Sequence, residues 1–115
     1  LKAAKRFAGD GRDLVIFQPH RYSRTKAFTT GFAEALSLAD QVWLLEIYAA
    51  SEKPMSGVSA SNIAAELSNA KFEPNFLTVA ESVVASAKPG DVIMTLGAGD
   101  VSSLGPVILD LLEKN

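Results

Sequence analysis

Apolar positions fall into short continuous runs separated by stretches of helical period. Leu14-Val15-Ile16-Phe17, Gln41-Val42-Trp43-Leu44-Leu45 and Val92-Ile93-Met94-Thr95-Leu96 are rich in β-branched and aromatic residues, and each predicts a strand. A weaker run from Phe72 to Leu77 contains Pro74, which lacks a ladder N–H and suits an edge strand. Between the first two runs, from about Ser23 or Thr25 to Ser37, Phe28, Phe32, Ala35 and Leu36 recur at i, i+4, i+7 and i+8 and predict an amphipathic helix. Ser59 is placed to cap a second helix carrying Ile63, Ala64 and Leu67. Thr78 and Glu81 have capping-box spacing and predict a third helix through Ala87, which Pro89-Gly90 ends. The last has Pro106 in its first turn and Leu104, Ile108, Leu111 and Leu112 as its stripe. Strands alternating with helices predict an α/β fold, a Rossmann-like open, mostly parallel sheet with helices on both faces.

Composition narrows the function more than the fold. The 115 residues are 48% hydrophobic and 21% charged, as expected of a single domain with a sizeable core. A net charge of -2 provides no general attraction for nucleic acid or acidic membranes, so any anion recognition has to be local. With no cysteine and a single histidine, disulfides, thiolate metal sites and a cysteine nucleophile are excluded, and no metal site is expected. No apolar run approaches the roughly 20 residues of a membrane span, and a cytoplasmic protein is expected. The chain starts on Leu1, in what reads as the middle of a helix, so a piece of a longer polypeptide is expected.

Ligands of such sheets bind beyond the carboxyl ends of the strands. That directs attention to Gln18–Arg24, Glu46–Val58 and Gly97–Ser103. Between Asp13 and Glu34 there is no acidic residue, yet His20, Arg21, Arg24 and Lys26 gather at a helix entrance, where the macrodipole disfavours cations. If Arg21 and Arg24 share a first helical turn, their i, i+3 spacing turns two guanidinium forks to one side, a geometry for a carboxylate or phosphate. The alternative is that both are solvated and His20 is a satisfied loop residue. Gly97-Ala98-Gly99 resembles part of a dinucleotide fingerprint, but Ser102 replaces its third glycine, and a plain tight turn explains it equally. Glu46 and Tyr48 either line a cleft or pack a loop. No G-x-x-x-x-G-K-[ST] phosphate loop is present.

The stretch Phe17-Gln18-Pro19-His20-Arg21-Tyr22-Ser23-Arg24-Thr25 closely resembles the start of the C-terminal domain of the Mur ligase family, in the form particular to its alanine-adding branch. Similar matches are Ala39-Asp40-Gln41-Val42, Glu46-Ile47-Tyr48-Ala49-Ala50 with Glu52 and Pro54, Gly57-Val58, Pro89-Gly90-Asp91-Val92-Ile93 and Gly97-Ala98-Gly99-Asp100. The resemblance covers nearly the whole chain. It implies that residues 1–115 are an amino-acid-binding domain of an ATP-dependent amide ligase of peptidoglycan biosynthesis, one that adds L-alanine to UDP-N-acetylmuramate through an acyl phosphate. On this resemblance His20, Arg21 and Arg24 bind the amino acid by positioning it, with no catalytic residue of their own. Glu46, Tyr48, Gly97, Gly99 and Asp100 are candidate cleft-lining residues. ATP and Mg2+ belong mainly to the central and UDP-sugar domains, absent from this sequence, as is the family's His-His-Pro segment. The isolated domain is therefore expected to be inactive. Ala49-Ala50-Ser51 departs from the Pro-Ala-Gly frequent in the family. A free-standing Rossmann-like module binding a small anion or nucleotide at His20, Arg21 and Arg24 is the competing expectation.

Overall fold

The computed structural model describes residues 11–97 and 103–114, with the side chains of 24, 26–30, 32 and 114 left out of the description. Its elements alternate as β1 (Asp13–Gln18), α1 (Tyr22–Leu36), β2 (Gln41–Leu44), α2 (Ala60–Ala65), β3 (Ala70–Phe72), α3 (Phe76–Ser86), β4 (Val92–Gly97) and α4 (Leu104–Lys114). The four strands form one parallel sheet in the order β3-β2-β1-β4. The first two crossovers step outward from β1; the third returns past it to place β4 on its other side. Because parallel crossovers are right-handed, reversing direction moves the connecting helix to the opposite face.

The core shows this division. Leu14 and Ile16 of β1 pack with Trp43, Leu45, Val79, Ala80, Val83, Leu104 and Ile108 on the face covered by α3 and α4. Val15 points the other way and joins Leu36, Val42, Leu44, Ala60 and Ile63 under α1 and α2. Strand side chains alternate between faces, so β1, with cover on both sides, is apolar at every position from Leu14 to Phe17. Trp43, 1% exposed, also donates its indole N–H to Ser82 Oγ at 2.9 Å, which seats α3 on the sheet.

Several boundaries differ from the pattern reading. β3 is Ala70–Phe72 rather than Phe72–Leu77, and Pro74 lies beyond it. Pairing continues only as far as Glu73, whose N–H reaches the Leu44 carbonyl at 2.8 Å. Helix α3 starts at Phe76, where Asn75 Oδ1 accepts the Thr78 N–H at 2.9 Å; Asn75, not Thr78, is the cap. In α1 Leu36 is buried as its place in the stripe implies, Ala35 is exposed instead, and Thr25 and Ala33 are also inside. Phe28 and Phe32 have side chains outside the described residues. In α4 the inward residues are Leu104, Ile108 and Leu111, while Leu112 sits at the margin, 37% exposed. Ser59 caps α2 as its position implies, accepting the Ser61 N–H at 3.2 Å.

At the amino-terminal rim, Asp91 closes β4 onto β1. Its carboxylate takes the Arg12 N–H at 3.0 Å, the Arg12 guanidinium at 2.8 Å and the Lys88 N–H at 2.8 Å. The Arg12 guanidinium first, then its backbone N–H, holds Asp91 down to a pKa of about 2, against an ordinary value of 3.8. A lowered folded-state pKa contributes stability that is complete above the unfolded value and is lost as pH falls through the folded one. Asp91→Asn is therefore expected to lower the thermal midpoint at neutral pH, with the gap from the parent closing between about pH 4 and pH 2. Melting curves across that range check it; a gap independent of pH would show that the carboxylate charge is not what matters.

Asp13 presents the opposite case. It is fully buried at the start of β1, and its main-chain N–H and carbonyl exchange hydrogen bonds with Asp40 Oδ2 (2.6 Å) and the Asp40 N–H (3.1 Å). Among the described residues neither oxygen of its own carboxylate meets a donor. A buried polar group without a partner costs about 1–3 kcal/mol. Asp13→Val, which retains strand propensity, is expected to stabilise the fold by about that amount in denaturant titration. No gain, or a loss, would show that the carboxylate has a compensating partner.

Candidate functional site

The reversal of strand order between β1 and β4 locates the place where such sheets bind ligands, outside the carboxyl ends of these two strands. β1 ends there at Gln18 and β4 at Gly97, which are paired in register. Gly97 has φ 126°, and a Cβ on it would stand 2.2 Å from the Gln18 carbonyl oxygen. Only glycine allows this backbone approach. The main-chain requirement alone accounts for Gly97; Gly99 and Asp100 lie outside the described residues.

Beyond β1 the chain stays tied to the segment after β2. The Tyr48 N–H donates to the Pro19 carbonyl at 2.8 Å and the Arg21 N–H to the Tyr48 carbonyl at 2.7 Å, so His20 and Tyr48 form a parallel bridge. Their rings lie nearly parallel, 15° apart with centroids separated by 5.9 Å, an offset stack. Gln18, 7% exposed, adds a bond from its side-chain amide to the Glu46 carbonyl at 3.3 Å, while its own amide oxygen has no partner among the described residues. His20 and Tyr48 thus make one aromatic wall on the carboxyl rim.

Arg21 stands at the edge of that wall, exposed, as the residue before α1. Its φ of 67° and ψ of 141° are not helical, and they are strained for a residue with a side chain. Arg21 and Arg24 do not share the first helical turn that their i, i+3 spacing would allow: α1 begins at Tyr22, so only Arg24 is within the turn. The Arg24 side chain lies outside the described residues. The Arg21 carbonyl opens the helix, accepting the Thr25 N–H at 3.1 Å and the Thr25 hydroxyl at 2.8 Å.

Two carboxylates reach this rim, and both meet protein donors. Glu46 Oε1 accepts the N–H groups of Ile47 (2.9 Å) and Ala60 (3.2 Å), and the Ser59 hydroxyl lies 3.3 Å from Oε2. Its side chain therefore secures the start of α2. Glu52 crosses to α1, taking the Ser23 N–H on Oε1 at 3.2 Å and the Ser23 hydroxyl on Oε2 at 2.7 Å. The Ser23 hydroxyl chiefly, then the neighbouring N–H groups and the Arg21 charge, lower the Glu52 pKa below its ordinary value. The acid-free stretch from residue 14 to 33 therefore does not leave the entrance to α1 without an anion. Glu52 supplies one from the loop after β2, a partner that local spacing does not reveal because it lies 29 residues from Ser23.

Comparison with known proteins matches this chain over residues 1–99 to the model of the Mur ligase, glutamate ligase domain. The chain belongs to the Mur ligase family. It is 50% identical over 107 residues to the UDP-N-acetylmuramate–L-alanine ligase of Mycobacterium avium (strain 104), a match covering 92% of this chain and 22% of that protein. The corresponding ligase of Mycobacterium tuberculosis (strain ATCC 25618 / H37Rv) is 52% identical over 107 residues, 91% of this chain and 22% of the relative. The chain thus spans about a fifth of the length of these curated Mur ligases. Among solved structures, a domain ascribed to a UDP-N-acetylmuramate:L-alanyl-γ-D-glutamyl-diaminopimelate ligase of Haemophilus ducreyi superposes with a TM-score of 0.67 at 22% identity. That alignment covers 96% of this chain and 76% of the other. The MurF ligase of Thermotoga maritima, solved with ADP, gives 0.66 at 20% identity, covering 98% of this chain and 24% of that one. At these identities the two structures establish the shared fold, an open parallel sheet with helices on both faces.

Gly97 gives this Mur ligase domain a sharp structural test. Gly97→Ala places a methyl group against main chain and a side chain at positive φ together, and is expected to cost at least about 2 kcal/mol. Chemical denaturation of the purified domain checks this; an unchanged midpoint would mean that β4 ends differently from the geometry described.

Proposed function

We propose that this chain is the C-terminal, amino-acid-binding domain of a ligase that joins L-alanine to UDP-N-acetylmuramate in peptidoglycan synthesis. One observation carries the reading: His20 and Arg21 stand together just beyond the carboxyl end of β1, the strand that borders the switch point, in a chain half identical to curated alanine-adding ligases over more than nine-tenths of its length. In this reading the guanidinium of Arg21, with that of Arg24, grips the alanine carboxylate. His20, backed by Tyr48, forms the adjoining wall. The partners are L-alanine directly, and UDP-N-acetylmuramate and ATP through the remaining domains; the setting is the cytoplasm. No helix among the described residues is long and apolar enough to cross a membrane.

The chemistry assigned to the domain is positional. Holding the carboxylate aims the alanine amine at an acyl phosphate formed elsewhere in the enzyme, and fixing two reactants in attack geometry removes much of the entropic part of a barrier. No proton transfer by His20 is needed in this scheme. Glu46 and Glu52 are engaged with protein donors, and no cluster of three or more His, Asp or Glu residues is placed to hold a metal among the described residues. ATP and Mg2+ are assigned to the rest of the ligase.

Steady-state kinetics of the full-length polypeptide test the reading. Loss of a charge-assisted hydrogen bond is worth about 1.5–3 kcal/mol. Arg21→Ala is therefore expected to raise the KM for alanine about 10- to 100-fold, leaving that for ATP within about twofold. An unaltered alanine KM in a folded variant would remove Arg21 from the site. The 115-residue chain alone is expected to release no ADP when given ATP, UDP-N-acetylmuramate and L-alanine; release would show that the domain carries more of the machinery than proposed.

A further inference from the structure

The role left open by the amino-acid-binding reading is what keeps Arg21 in its unusual conformation. Arg21 is locked on its amino side by the N–H bond to Tyr48 and on its carboxyl side by Thr25, which returns to the Arg21 carbonyl with both its N–H and its hydroxyl. These contacts define the backbone on either side of the residue and join it to Tyr48, and Glu52 adds a second tie from the same segment, to the first turn of α1. It bonds both the N–H and the hydroxyl of Ser23, two residues after Arg21, and has no other element to satisfy among its described hydrogen bonds. It reaches this position through a tight turn, closed by its own N–H on the Ala49 carbonyl at 3.0 Å, in which Ala50 and Ser51 have φ values of 51° and 74°. Three structural features thus converge on one place. A strained turn delivers a carboxylate, the carboxylate holds the start of a helix, and the helix start carries the strained arginine.

We propose that Glu52 is a positioning residue for amino-acid binding, clamping the first turn of α1 to the loop after β2 so that the Arg21 guanidinium is presented to the substrate carboxylate. The proposal rests on the assignment of Arg21 to that carboxylate. Without the clamp, Ser23 loses its acceptor and the helix start keeps only the Arg21 N–H bond to Tyr48 as its tie to the opposing segment, which loosens the hold on the positive φ of Arg21 and on the direction of its side chain. The negative charge serves a second purpose. The Arg21 charge contributes to the lowered Glu52 pKa, and the same attraction acts on the guanidinium. Glu52 touches no reacting atom in this scheme and acts only through Ser23 and Arg21.

Four variants of the full-length polypeptide decide the matter, each assayed for the KM of alanine, ATP and UDP-N-acetylmuramate and for its melting temperature. Glu52→Ala removes the acceptor and the charge, Glu52→Gln retains an acceptor oxygen, Ser23→Ala removes one of the two donors, and Arg21→Ala is the reference. The expected result is a rise of about tenfold or more in the alanine KM for Glu52→Ala and about threefold for Ser23→Ala, with the other two KM values within about twofold. Glu52→Gln is expected to recover part of the loss. A merely structural role would move all three KM values together or only the melting temperature, and either outcome overturns the proposal, as does an alanine KM within twofold of the parent in Glu52→Ala. Should Glu52→Ala fail to fold, Ser23→Ala carries the same decision through its threefold rise. An unchanged alanine KM in Arg21→Ala removes the site assignment itself. A raised one beside an unchanged value in Glu52→Ala removes the role of Glu52 alone.

Discussion

The close approach of Gln18 and Gly97 is the contact on which the geometry of the carboxyl rim depends. β1 is the only described strand with parallel neighbours on both sides in which a crossover direction reverses, so its end marks the crevice. For β4 to run level with β1 as far as Gln18, its last residue has to present the place of a Cβ to a carbonyl oxygen, at a φ that side chains disfavour. Glycine removes both obstacles at once. The remaining features of the rim follow from β1 ending where it does: the Pro19 and Tyr48 main chains pair, His20 stacks on Tyr48, and the helix carrying Arg24 starts immediately afterwards.

The two rims of the sheet are built to different ends. At the amino-terminal rim Asp91 gathers two backbone N–H groups and a guanidinium, a closed arrangement in which every bond is short and one charge neutralises another. The carboxyl rim instead holds Arg21, Ala50 and Ser51 at positive φ. Each such residue costs on the order of 1–2 kcal/mol where a side chain is present. Strain of this kind persists only where the surroundings over-determine the conformation, and it concentrates at functional sites. Ser51 holds a φ of 74° although a serine is less suited to it than a glycine.

Much of this architecture was legible along the chain. Continuous apolar runs identified β1, β2 and β4 because strands covered on both faces need apolar residues at successive positions, and the same condition made the number of helical layers readable. The edge strand was harder. Ala70-Lys71-Phe72 is three residues long and carries a lysine, so the apolar run beside it drew the reading toward Phe72–Leu77, most of which belongs to the loop and the start of α3. Asn75 was overlooked as a cap because the capping-box pair Thr78 and Glu81 stood just beyond it. In α1 Ala35 is apolar but too small to declare which way it faces, and the buried Thr25, held by the Arg21 carbonyl, is polar and so escapes a hydrophobic pattern.

The candidate site was legible in its cations and in Glu46, whereas the partner of Glu52 was not. His20 and Arg21 advertise themselves through proximity along the chain, and the end of an identified strand is enough to place them at a rim. Glu52 has no such signal, since its partner is Ser23 and only the pairing of the segments after β1 and β2 brings them together. The consequence reaches beyond bookkeeping of charges. An unbalanced cationic helix start attracts any anion by field alone, with little regard to shape, because Coulombic attraction is not directional. Once an internal carboxylate satisfies Ser23 and lies near Arg21, the attraction left for a ligand is smaller and depends more on bidentate hydrogen bonding, which requires a planar pair of oxygens at the right angle. Balancing the charge therefore shifts recognition from the sign of the ligand toward its geometry, which is what the proposed capture of a small amino acid by its carboxylate demands.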